Sequence, residues 1–162
     1  VDSNEGRFEE GAGPVIASGA HDGIEWALQG AISDDRVSTF VSTQFGGGGG
    51  TGSLPFADTP DGKLGHFGSV GWGISTQGRG GLGGKRVVAS HVCGVVSPDV
   101  ADVQVWFEDD TTIQAVLIDT GDSRAKFFVA VWFPSSGCHK LVAIDSRGTW
   151  LEDKVRLDGH WR

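Results

Sequence analysis

Residues 78–96 read GRGGLGGKRVVASHVCGVV, and the fold turns on whether the glycines lead into a helix or a strand. Gly78, Gly80 and Gly83 spell G-x-G-x-x-G, the fingerprint of a dinucleotide-binding turn. That turn works only where it joins a strand to a helix, whose N-terminus then faces the pyrophosphate. Here the run after Gly84 is rich in β-branched Val and reads as a strand, so no helix meets a phosphate. A P-loop fares no better. Arg79 stands where its first glycine belongs, and Arg86 where Ser or Thr is required. Residues 46–84 hold 16 of the chain's 27 glycines, so a match to a glycine pattern comes from composition alone. These residues do not make a nucleotide site, and no cofactor is expected.

Outward from that strand the period stays near two. DVQVWF (102–107), TIQAVLID (112–119), KFFVAVWF (126–133), HKLVAID (139–145) and TWLEDKVRL (149–157) are separated by the turn sequences SPDV, EDDT, TGDSR, PSSGC and SRG. KFFVAVWF is apolar on both faces and reads as a central strand. Upstream, GPVIASG (13–19) and GIEWALQG (23–30) read as strands. In RVSTFVSTQF (36–45), Val37, Thr39, Val41 and Thr43 share one face. Short strands about ten residues apart, with turns between, predict an all-β fold: an antiparallel β-sandwich, Ig-like or jelly-roll-like. A flexible segment over 1–11 precedes a single domain over 12–162. Residues 46–84, with GGGGG at 46–50, cost the most entropy to order and offer little to bury. They read as a long glycine-rich loop, pinned by a short strand within 64–75.

The chain has 162 residues, enough to bury a core without staples. Its formal charge is −8, which argues against nucleic acid as a partner, since a phosphate backbone calls for clustered Lys and Arg. No apolar run is long enough to span a membrane. Val in place of Met at position 1 is what an exported protein that has lost its leader, or a trimmed chain, would show. The expected location is extracellular or in the cell envelope.

Each candidate for chemistry has a plain structural counterpart. Cys93 and Cys138 are even in number, and in an exported chain they predict a disulfide. In the chain-entropy model such a bond would contribute about 4 kcal/mol; the alternative is two buried free thiols. His91, Cys93, Cys138 and His139 do not have standard zinc spacing, and without Met there is no axial ligand for a copper site, so no metal is expected. Asp34–Asp35, Glu108–Asp110 and Asp119–Asp122 read as turn chemistry rather than calcium ligands. No G-x-S-x-G elbow and no H-E-x-x-H is present, and no residue stands out as catalytic. Of the six tryptophans, Trp26, Trp106 and Trp132 lie within strands and read as core. Trp72, Trp150 and Trp161 lie near glycines or turns, where an exposed indole can stack on a ligand. Trp72, Trp150 and His66 are the candidate ligand-binding residues.

SGAHDGIEWAL (18–28), VCGVVSPDVADVQVWFEDDTTIQAVLID (92–119) and KFFVAVWFP (126–134) resemble a group of actinobacterial exported or membrane-anchored β-rich proteins of unknown function. The shared features are a G-V-V-x-x-x-V-x-x-V-x-V segment from Gly94 to Val105 and a late strand ending in D-x-x-G at Asp145–Gly148. The resemblance implies an envelope location and brings no catalytic residues. The expected function is a non-enzymatic binding or structural module of the envelope, with itself, other envelope proteins or a polysaccharide as partner. The alternatives are a carbohydrate-binding module using exposed tryptophans and a small hydrolase working from the glycine-rich loop.

Overall fold

The structure is a computed structural model that describes residues 11–59, 61–77, 86–133, 137–157 and 160–161, with the backbone alone described at 74–77, 86–88, 157 and 160. The flexible segment expected over 1–11 lies outside the described residues except for Gly11, as does the GRGGLGG stretch at 78–84. The described secondary structure consists of strands, and every pairing among them is antiparallel. No helix starts after Gly84: a strand begins at Arg86.

β1 (Val15–His21), β2 (Ile24–Ser33), β3 (Arg36–Thr43) and β4 (Gly46–Ser53) form a meander. Its first two turns are set locally. Asp22 and Gly23 have φ of 50° and 82°, as a two-residue Asp-Gly hairpin requires, and Asp34 in the next turn has 55°. The second sheet has the order β5–β6–β10–β9, from β5 (Phe67–Gln77), β6 (Arg86–Val96), β9 (Val116–Ile118) and β10 (Lys126–Trp132). The third has the order β13–β12–β11–β7–β8, from β7 (Asp102–Phe107), β8 (Thr112–Gln114), β11 (Cys138–Ile144), β12 (Trp150–Leu157) and β13 (His160–Trp161).

The chain is all-β and forms the expected antiparallel sandwich, here with three sheets, and β10 shows why. Its odd residues Phe127, Val129 and Val131 join Ile24, Leu28, Val37 and Val41 in a core against the first sheet. Its even residues Phe128, Ala130 and Trp132 join Val103, Val105, Leu141 and Ala143 in a second core against the third sheet. A strand apolar on both faces needs cover on both sides, and the middle sheet has it. The run TIQAVLI divides between layers. β8 pairs with β7, Ala115 donates its N–H to the Val103 carbonyl at 2.8 Å, and β9 then pairs with β10.

The predicted loop at 46–84 is corrected at its start, where a strand stands in place of loop. Residues 46–53 are a strand paired with β3 from Thr43–Gly46 to Arg36–Ser53 without interruption, and 67–77 form β5, as the Phe67–Ile74 pattern suggests. Their lack of side chains is what lets β4 lie close to β5. A Cβ on Gly71 would stand 3.0 Å from the Gly49 carbonyl carbon. On the other face of β4, a Cβ on Gly47 would stand 3.0 Å from the Phe40 ring, which covers the bare backbone as aromatic side chains do beside edge glycines.

The predicted Cys93–Cys138 disulfide is absent; both cysteines are free and buried. Cys93 belongs to the core between the first and second sheets, and Cys138 to the core between the second and third. The middle sheet separates them. Packed sheets stand about 10 Å apart, while a disulfide needs Cα atoms within about 7 Å. Burial pushes both thiols up to about 11, so they stay protonated and unreactive at neutral pH.

Candidate functional site

The third sheet buries one face against the middle sheet, and its other face is partly exposed. Along β7, Val103, Val105 and Phe107 are buried, so Asp102, Gln104 and Trp106 must point the other way. Trp106 pairs with Lys140 of β11, and Val142 and Ile144 continue that face, with Trp150 opposite Ile144 across a bulge. The strand pattern alone puts Trp106 in the core; the structure corrects this, since it lies in neither core cluster, whereas Trp26 and Trp132 are core residues.

On this outer face the two indoles meet edge to face, with ring centroids 6.0 Å apart. The Lys140 ammonium sits over both, 4.6 Å from the Trp106 centroid and 5.1 Å from that of Trp150. Val142, between them on the same face, is 0% exposed although it belongs to neither core. Trp150 remains 53% exposed. The Trp106 Nε1–H donates to Gln104 Oε1 at 3.2 Å, which fixes the indole and leaves the Gln104 NH₂ as a donor to the outside. Among the described residues, no carboxylate comes within ion-pair distance of Lys140. Asp102, opposite Ile144, and Asp153, opposite Val142, share the face, and Asp102 Oδ1 is buried without a hydrogen-bond partner among the described residues.

The three expected ligand residues do not come together. Only Trp150 lies on this platform. Trp72 of β5 packs against the second core, with the Arg156 guanidinium 3.3 Å from its ring centroid, so its face is covered. His66 precedes β5, and its Nδ1 lies 2.7 Å from Ser97 Oγ. That pair has the look of a nucleophile and base, but Ser97 is buried, and its N–H donates to the His66 carbonyl at 2.9 Å. Glu152 is bound to the His66 and Phe67 backbone N–H groups at 2.5 and 3.2 Å, and to Lys154 at 3.3 Å, not to the His66 ring. With no group orienting the ring as a base, these residues latch the start of β5 to β6 and β12.

Asp109, Asp119, Asp122 and Asp145 each accept from a backbone N–H two residues on, the turn chemistry their sequence predicts. No cluster of three or more metal-ligating side chains occurs among the described residues. A groove of about 390 Å³ on the first sheet, lined by Ser38, Thr39, Phe40 and Gly49–Thr51 among others, has no ionisable side chain among the described residues of its walls. The residues missed from the sequence are Trp106, Lys140 and Gln104. Alternation in DVQVWF puts Gln104 and Trp106 on the face opposite Val103, Val105 and Phe107, but the presence of Trp106 there hides which face is outward, and Lys140 carries no signal before β7 and β11 pair.

No family model, no curated protein and no solved structure matches the chain.

Proposed function

We propose that the protein is a non-enzymatic binding module of the cell envelope that holds a polysaccharide on the outer face of its third sheet. The carrying observation is the Trp106–Trp150 pair, half-buried and exposed respectively on the outer sheet face and flanked by Gln104, Asp102 and Lys140. Sugar rings offer apolar C–H faces edged with hydroxyl groups. Indoles stack on the faces, while the amide and carboxylate take the hydroxyls. The envelope setting rests on the resemblance of residues 18–28, 92–119 and 126–134. The experiment is a titration with a panel of soluble polysaccharides monitored by tryptophan fluorescence. Quenching should saturate with at least one glycan and fall at least tenfold in affinity in Trp150→Ala, with the unfolding midpoint nearly unchanged. A panel that leaves the fluorescence untouched would sink the proposal.

A second reading, self-association by strand addition, is favoured by β1. It is an edge strand of the first sheet, and VIASGAH carries no Pro, Lys, Arg, Asp or Glu to discourage a further strand. A strict monomer by light scattering at high concentration would count against it.

A further inference from the structure

We infer that the ligand of the Trp106–Trp150 platform is an acidic glycan, whose sugar carboxylate is received by Lys140 and Gln104; this rests on the polysaccharide reading above. The protein carries a formal charge of −8, so a cation placed at the centre of an exposed aromatic surface runs against its overall field. Several other lysines and arginines of the described residues are held by acceptors. Arg124 is bound by Asp122, Lys154 by Glu152, Lys63 by Asp61, and Lys126 by the Val100 carbonyl. Lys140 is held by two ring faces instead. Asp153 stands on the neighbouring strand of the same face, yet the ammonium turns to the indoles and makes no ion pair with it.

A π face attracts the ammonium by charge without a carboxylate or carbonyl acceptor, so N–H donors of Lys140 remain for a ligand. Gln104 lies on the same face with its carbonyl oxygen engaged by Trp106, so what it can offer a ligand is its NH₂. An ammonium and an amide NH₂ beside an aromatic surface complement a carboxylate attached to a sugar ring: the anion takes two donors while the ring lies on the indole. Asp102, toward the other end of the face, repels a second carboxylate there. The site thus has a sense of direction along β11, and Lys140 to Ile144 span about 13 Å, more than one sugar ring.

The test pairs polygalacturonic acid with its fully methyl-esterified form, alongside neutral glucans and chitin oligosaccharides, using calorimetry at low and moderate salt. The acid should bind at least tenfold more tightly than the ester, and raised salt should weaken it. Lys140→Gln should abolish the preference and Lys140→Arg should keep most of it. Equal binding of acid and ester, or a preference that survives Lys140→Gln, would overturn the acidic-glycan inference while leaving the polysaccharide reading intact. Binding by neutral glycans alone would do the same. If no glycan binds, both fall together.

Discussion

β4 and β10 are made of opposite materials. Six of the eight residues of β4 are glycine, and its burial alternates between half-buried and exposed. Six of the seven residues of β10 are apolar and buried. β10 is held by what its side chains touch on both faces. β4 is held by β3 along its length and by the near contact of its bare backbone with β5. The gap left by missing side chains on β4 and β5 is filled from elsewhere: the His91 imidazole of β6 would stand 3.2 Å from a Cβ on Gly48 of β4 and 2.8 Å from one on Gly73 of β5. A strand can therefore be specified by its own residues or by the shape its neighbours leave for it.

The sharpest way to test this contrast is to remove side chain from β10. Phe128 is fully buried, packs edge to face on Phe67 at 5.9 Å, and has its space made by Gly94 opposite. Phe128→Ala should cost about 3–5 kcal/mol in urea unfolding. Thr51→Ala, at an exposed position of β4, should stay within about 0.5 kcal/mol. A small loss at Phe128 would break the distinction.

A second test uses pH. His91 is 2% exposed, with Nε2 lacking a partner among the described residues, and burial lowers its pKa from 6.5 to about 4. Above pH 6.5 the ring is neutral in both states and carries no penalty. As pH falls below 6.5 the unfolded chain takes up a proton that the folded one refuses until about pH 4. Stability should therefore drop through that window, by about 3 kcal/mol from this one group. Subtracting the profile of His91→Leu isolates it. A difference flat between pH 7 and 4 would show that the imidazole filling the glycine gap is not shielded from water.

The third and smallest effect comes from adding atoms. Gly71→Ala places a methyl group 3.0–3.2 Å from the carbonyl carbon, Cα and next nitrogen of the Gly49–Gly50 backbone. It should cost about 1–3 kcal/mol, since backbone gives way less readily than a side chain. No change in melting temperature would mean that β4 and β5 are not pressed together.

The same contrast explains what could be read from the sequence. β10 is legible as a buried central strand because KFFVAVWF carries its own pattern on both faces. β2, β3 and β7 are legible from alternation. β4 is not, since GGGGG has no pattern to read; its conformation is written in Phe40, His91 and Gly71, outside the strand itself. The cysteines fail for a related reason. Even number and spacing say nothing of which face of the middle sheet each thiol occupies. At the candidate site, Trp150 is visible from its place beside a turn. Trp106 and Lys140 need the pairing of β7 with β11, which only the folded chain supplies.

The crossing at Ala115 has one more consequence. TIQ and VLI are a single unbroken run, yet they lie in different layers, joined by one buried alanine. Because side chains alternate with every residue, an extra residue here would force one half of the run to turn its inward set to solvent. Deletions and insertions between Gln114 and Val116 should be the least forgiven in the chain, and a natural variant of this length would have to rebuild two layers at once.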